Sequence, residues 1–207
     1  MSSQTIEHIV LLKVKETADP SGITSLSTLS SLDCVLHLTV VPIHKYHPSS
    51  TFNFTHVVHG RYNTKQDLEA YLAHPDHVSA VENTVSPVCD DVMIVDWVTE
   101  HDTPLVQPSP GSAVRVCLLK LKEGVEESEK EKVLKIMAGV KDHVEGVEQI
   151  TVGENFSPMA KGFTLASVLV FPGIEKLEGM DSNEEVSKEH EKVKDFVDSI
   201  IVLDYVV

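Results

Sequence analysis

The sequence predicts an α+β fold in which two ferredoxin-like β-α-β-β-α-β repeats form an intramolecular α/β barrel. Three observations predict it: a duplicated pattern, the same element order in each copy, and opening and closing strands that are apolar on nearly every residue. The duplication is read from three pairs of segments. IEHIVLLKVKE (Ile6 to Glu16) matches AVRVCLLKLKE (Ala113 to Glu123), FTHVVHGRY from Phe54 matches FTLASVLVF from Phe163, and VMIVDWV from Val92 matches IIVLDYVV from Ile200. The offset is nearly constant, so a whole domain is repeated. Residues 1–100 form the first domain and 113–207 the second. The prolines, serines and glycine of EHDTPLVQPSPGS cannot continue a strand or helix, which marks 101–112 as a linker.

Each copy opens with an apolar strand, Ile6 to Val14 and Val114 to Lys122. A helix follows. In copy two it is strongly patterned, with Val133, Ile136, Met137 and Val140 on one face. In copy one, Ile23, Leu26, Leu29 and Leu32 stand three apart among serines that lower helix propensity. Two strands come next, Cys34 to Val41 with Phe52 to Tyr62, and Val147 to Glu154 with Phe163 to Phe171. A second helical stretch and a last strand close each copy, completing the split βαβ plan. Strands apolar on both sides need both sheet faces covered. Helices cover one face, and the sheet of the other copy covers the second.

Composition narrows the function. Lys and Arg number 17 against 32 Asp and Glu, a net charge of −15. With no basic run to replace counterions at phosphates, nucleic acid is set aside, and anionic membranes are disfavoured for the same reason. The three cysteines, Cys34, Cys89 and Cys117, are far apart and form no CxxC, which argues against a disulfide frame and a zinc site. MSSQTIEHIV lacks the basic flank and apolar core of a signal peptide, no apolar run is long enough to cross a bilayer, and LDYVV is not a peroxisomal address. Cytoplasm is the expected compartment, by elimination.

The opening EHIVLLKVKE, the middle FTHVV, then DLEAYLAHPDHV and VMIVDWV resemble the stress-responsive dimeric α/β barrel family, above all its plant members with two domains in tandem. The resemblance covers nearly the whole chain twice, and the HPxH element is a fairly specific marker. It implies a two-sheet barrel usually built from two identical chains, with the second copy here taking the partner's place; a further homodimer is compatible with it. It implies a stress- or defence-response protein, in some relatives antifungal, acting by binding without an established reaction. It also implies an alternative, a cofactor-free polyketide cyclase. In the relative with that activity the site uses a histidine and a tyrosine on and after the second helix and two histidines on the strands, which match His77, Tyr71, His8 and His56 here.

Read alone, the residues point the same way. Strand alternation puts His8 with Ile6, Val10, Leu12 and Val14, and His56 with Phe54 and Val58. Both imidazoles then face the helices on neighbouring strands, and an imidazole among apolar groups is costly unless hydrogen-bonded. The competing reading is two satisfied core histidines. Pro75 disfavours helical geometry at His74, so one helix ends at Ala73 and another starts at Pro75. Thr64 with Asp67 caps the first, and His74 takes a cap role. His77 falls in the new first turn, where the helix dipole favours a neutral, proton-accepting imidazole. Tyr71 on the preceding turn can donate, a pairing suited to proton abstraction beside a carbonyl. The plainer alternative is that proline and histidine only shape a kink.

No cofactor and no metal is expected. His37, His44 and His47 read as solvated loop residues, and a His8–His56–His77 metal site lacks an evident acidic partner. Copy two has Arg115 where His8 stands, Leu165 for His56, Met180 for Tyr71, and Glu185 or Val186 for His77. Copy one is therefore expected to hold the pocket, for a small apolar ligand, and copy two to complete the barrel. Arg115 needs an acidic partner, expected from the second-copy helices. Ser182 with Glu185 is the expected capping box there.

Overall fold

The computed structural model describes residues 3–47, 52–101 and 105–207. The first repeat supplies β1 (Ser3–Val14), α1 (Ser21–Thr24), β2 (His37–Pro42), β3 (Lys45–Tyr46), β4 (His56–Tyr62), α2 (Lys65–Ala73), α3 (Pro75–Ala80), α4 (Ser86–Val88) and β5 (Cys89–His101). The second supplies β6 (Ala113–Leu121), α5 (Glu127–Gly139), β7 (Gln149–Glu154), β8 (Leu165–Phe171), α6 (Ile174–Gly179), α7 (Glu184–Val193) and β9 (Val197–Val206). The antiparallel sheets run β2-β4-β1-β5 and β3-β9-β6-β8-β7. In both, the opening strand lies between the third and the closing strand of its repeat, the ferredoxin-like order.

β3 is the exception that ties the repeats together. It belongs to the first repeat yet pairs with β9, Lys45 opposite Asp204 and Tyr46 opposite Leu203. His44 N–H donates to the Asp204 carbonyl at 2.8 Å and His47 N–H to that of Val202 at 2.9 Å. Across the molecule, β5 meets the end of β7 through a Trp97–Asn155 bridge. The two sheets thus meet at two short seams, with no continuous ladder through both among the described residues.

Alternation along the strands sorts the core. Ile9, Leu11, Val57, Met93, Val95 and Trp97 of the first repeat pack against Val116, Leu118, Val168, Ile201, Leu203 and Tyr205 of the second. The opposite parity faces the helices, and there the repeats differ. In the first, a single cluster runs from Ile6 and Leu12 through Ile23, Leu26, Leu68 and Tyr71. In the second the layer is split, one cluster around Val140, Leu169, Met180 and Val186 and another around Leu119, Val133, Met137 and Val193.

Several boundaries differ from the sequence expectation. The first helix is one α turn that tightens into a 3₁₀ helix, Ser25–Ser31. Apolar residues three apart suit three residues per turn, and the Ser and Thr hydroxyls bond back to carbonyls three residues earlier. β2 begins at His37, not Cys34, and β4 at His56, not Phe52. Thr64 accepts from the Asp67 N–H, His74 caps α3 through the Asp76 N–H, and Pro75 stands at the first turn, as expected. Ser182 does not cap α7. Asn183 does, accepting from the N–H groups of Glu185 and Val186.

Candidate functional site

In the first repeat the register brings three of the four expected site residues together. His8 stands opposite Gly60 on β4 and Asp96 on β5. Its Nδ1–H donates to Asp96 Oδ1 at 2.6 Å, with both groups buried. The His8 ring lies 6.2 Å from that of Tyr71, and Tyr71 lies 4.5 Å from His77, centroid to centroid. His77 Nδ1–H donates to the Leu72 carbonyl at 3.1 Å, which leaves Nε2 as the acceptor. Its pKa is lowered, chiefly by burial, while the Leu72 carbonyl acts the other way. Burial pushes the Tyr71 phenol up to about 12, so it stays a donor.

His56 is not part of this group. It shares the helix-facing side but stands opposite Leu12, four residues along β1 from His8. At strand rise that is about 13 Å, so the expected approach of the two imidazoles does not occur. His56 Nδ1 instead lies 2.9 Å from Thr55 Oγ1. Among the described residues no group of His, Cys, Asp and Glu is arranged to hold a metal ion.

Two features escaped the sequence reading. One is Asp96, the acidic partner of His8. The duplicated motifs VMIVDWV and IIVLDYVV both carry that aspartate, and Asp204 pairs with Arg115 as Asp96 pairs with His8. The other is a network buried between the sheets on the opposite parity. His59 Nε2–H donates to Glu7 Oε2 at 2.6 Å, and Tyr205 OH donates to His59 Nδ1 at 2.6 Å. Arg61 Nη2 lies 2.9 Å from Glu7 Oε1, and Thr151 Oγ1 donates to the same oxygen at 2.9 Å. Arg61 Nη1 donates to the Val106 carbonyl and so anchors the linker. His37, expected in solvent, lies 5.5 Å from the His59 ring, and burial drives its pKa down to about 3.

The large cavity lies in the other repeat from the one expected. A cleft of about 870 Å³ opens between the second sheet and helices α5 and α7. It follows from one row of small residues. In the first repeat Val10 faces Val58 and Ile94, whereas the matching Cys117 faces Ser167 and Val202. The smaller row leaves the gap that divides the second helical layer. Leu119, Met137, Val140, Leu169, Met180 and Val186 wall it. Burial pushes the Cys117 thiol at its floor up to about 12, so it stays protonated. His190 on α7 has its pKa lowered by burial and by Arg115, so it faces the cleft as neutral imidazole.

The polar end of the cleft sits on the β3 seam. Arg115 Nε and Nη2 donate to Asp204 at 2.7 and 2.8 Å, and Nη2 also reaches Asp181 at 2.7 Å. Only Asp181, on the turn after α6, comes from the helical layer where the partner was expected; Asp204 lies on β9. Lys45 pairs with Asp181 and His47 with Asp204, so the first repeat furnishes two of the lining side chains. His47, also expected in solvent, is held there because β3 carries it onto the second sheet.

These features define a class: a tandem α+β protein of two ferredoxin-like units with sheets packed face to face. The chain belongs to the stress-responsive A/B barrel domain family, whose model matches residues 6–99 and 113–207. Two stress-response A/B barrel domain-containing proteins of Arabidopsis thaliana are similar to it along almost its whole length. To one the chain is 47% identical over 99% of its own residues, covering 80% of that protein. To the other it is 39% identical over 98% of its own residues, covering 97% of that protein. An anthrone oxidase-like protein of known structure superposes with a TM-score of 0.69 at 11% identity, over 99% of this chain and 92% of that one, a likeness of fold alone. No helix among the described residues is long and apolar enough to cross a membrane.

Proposed function

We propose that this chain is a stress- or defence-response protein that acts by binding a small apolar molecule, and that the binding site is the cleft of the second repeat. The supporting observation is that cleft: about 870 Å³, apolar along its walls and polar at one end. Ligand pockets typically span roughly 300–1,000 Å³ with a few converging polar groups. Three free cysteines fit action in the reducing cytoplasm. If the protein restrains fungal growth, it does so by recognising a specific component, because a net charge of −15 does not suit a cationic membrane-disrupting helix.

A second reading is cofactor-free cyclase chemistry in the first repeat, favoured by the 4.5 Å approach of Tyr71 to His77 and the free Nε2 of His77. His77 would take a proton from an activated carbon and Tyr71 would hold the carbonyl oxygen. His8 would orient the substrate, while His56, removed from the group, would contact only an extended one.

One experiment separates the two. Nile red fluorescence is expected to rise on binding to wild type and to lose at least tenfold in affinity in Ser167→Phe, which fills the cleft, with His77→Ala unchanged. Equal binding by wild type and Ser167→Phe removes the cleft reading. Linear polyketides are assayed alongside; equal product from wild type, His77→Ala and Tyr71→Phe removes the cyclase reading.

A further inference from the structure

Arg115 enters the cleft with part of its guanidinium unused. Nε and Nη2 carry every polar contact that Arg115 makes among the described residues, to Asp204, Asp181 and His47. Nη1 has none, although the side chain is only 7% exposed. Ser167, a residue 3% exposed, adds a hydroxyl on the cleft floor. Both groups open onto the cleft, where a polar atom of a ligand can take the place of water as their partner.

Charge decides which kind of atom. Arg115 and Lys45 are offset by Asp181 and Asp204. The rim carboxylates Glu189, Glu191 and Asp198 are each paired with a lysine, Lys192, Lys194 and Lys120. A carboxylate ligand would sit beside Asp181 and Asp204 with no unpaired cation left to balance it, and a cationic head would offer Nη1 no acceptor. We propose that the cleft binds an uncharged apolar molecule bearing a carbonyl oxygen, such as a ketone, lactone or quinone, with that oxygen accepting from Arg115 Nη1 and the apolar body lying over the Cys117–Ser167 floor. This rests on the cleft being the binding site. Because Lys45 and His47 reach it from β3, the bound head group would touch both repeats.

Calorimetric titration with three probes of one shape tests the assignment: 2-acetylnaphthalene, 2-ethylnaphthalene and 2-naphthoate. Wild type is expected to bind the ketone at least tenfold more tightly than the hydrocarbon or the carboxylate. Arg115→Lys keeps a cation against Asp204 and Asp181 but lacks Nη1, and is expected to bring the ketone affinity down to that of the hydrocarbon in the same variant. Equal binding of ketone and hydrocarbon by wild type, with Ser167→Phe abolishing both, overturns the carbonyl assignment and leaves the cleft reading standing. Tighter binding of the carboxylate overturns the uncharged head. No binding of any probe, or binding untouched by Ser167→Phe, overturns the cleft reading and the assignment with it.

Discussion

Glu7→Ala is expected to destabilise the protein by about 3–5 kcal/mol in urea unfolding at neutral pH, since removing one member of a buried pair leaves the others uncompensated. The carboxylate is fully buried between the sheets with Arg61, His59 and Thr151 upon it. Burial alone would raise its pKa; Arg61 and His59 more than reverse that and hold it at about 2 instead of 4.5. The sign follows from linkage. A depressed carboxylate pKa contributes stability that is full above the unfolded value and lost as pH falls through the folded one. The gap between wild type and Glu7→Ala should therefore narrow as pH falls from about 4.5 to about 2. His59, depressed by burial, separately lowers wild-type stability as pH falls through the imidazole range, because the unfolded chain takes up its proton at a higher pH than the folded one does. A cost below about 1 kcal/mol, or a gap that stays constant across that window, would show the network to be energetically idle.

Gly153→Ala is expected to cost about 1–3 kcal/mol or more, the usual range for overpacking a rigid core. An added Cβ would stand 2.4 Å from Trp97 Cδ1 and 2.8 Å from the Val98 carbonyl oxygen. Trp97 is fully buried and the carbonyl is backbone, so neither yields easily. The damage falls on the seam where β5 meets β7, joining the two sheets. Gly139→Ala is the control: nothing lies within 4 Å of its Cβ position, and alanine in a helix is better than glycine by about 1 kcal/mol. Equal thermal midpoints for wild type and Gly153→Ala would mean that the seam adjusts freely.

The fold is legible in the sequence because duplication, strand order and two-sided apolarity all point to one arrangement. The break at His74–Pro75 and the cap at Thr64 are legible because local chemistry fixes them. The placement of the pocket is not. Histidine content points to the first repeat, but a cavity depends on side-chain volume along one row, and Cys117 opposite Ser167 is visible only once register is known. The Glu7 network is hidden for a related reason. Glu7, His59 and Arg61 lie on three different positions of two strands, and only pairing shows that they converge between the sheets. The Arg115–Asp204 pair is within reach, since the aspartate recurs in both copies of the closing strand.

The methyl resonances of methionine test the central claim most directly. Met137 and Met180 wall the cleft, Met93 is buried between the sheets, and Met159 is exposed on a loop. With ¹³C-methyl methionine in the intact chain, saturating 2-acetylnaphthalene should shift Met137 and Met180 and leave Met93 and Met159 in place. Unmoved Met137 and Met180 at saturation, or a shift confined to Met93, would contradict it.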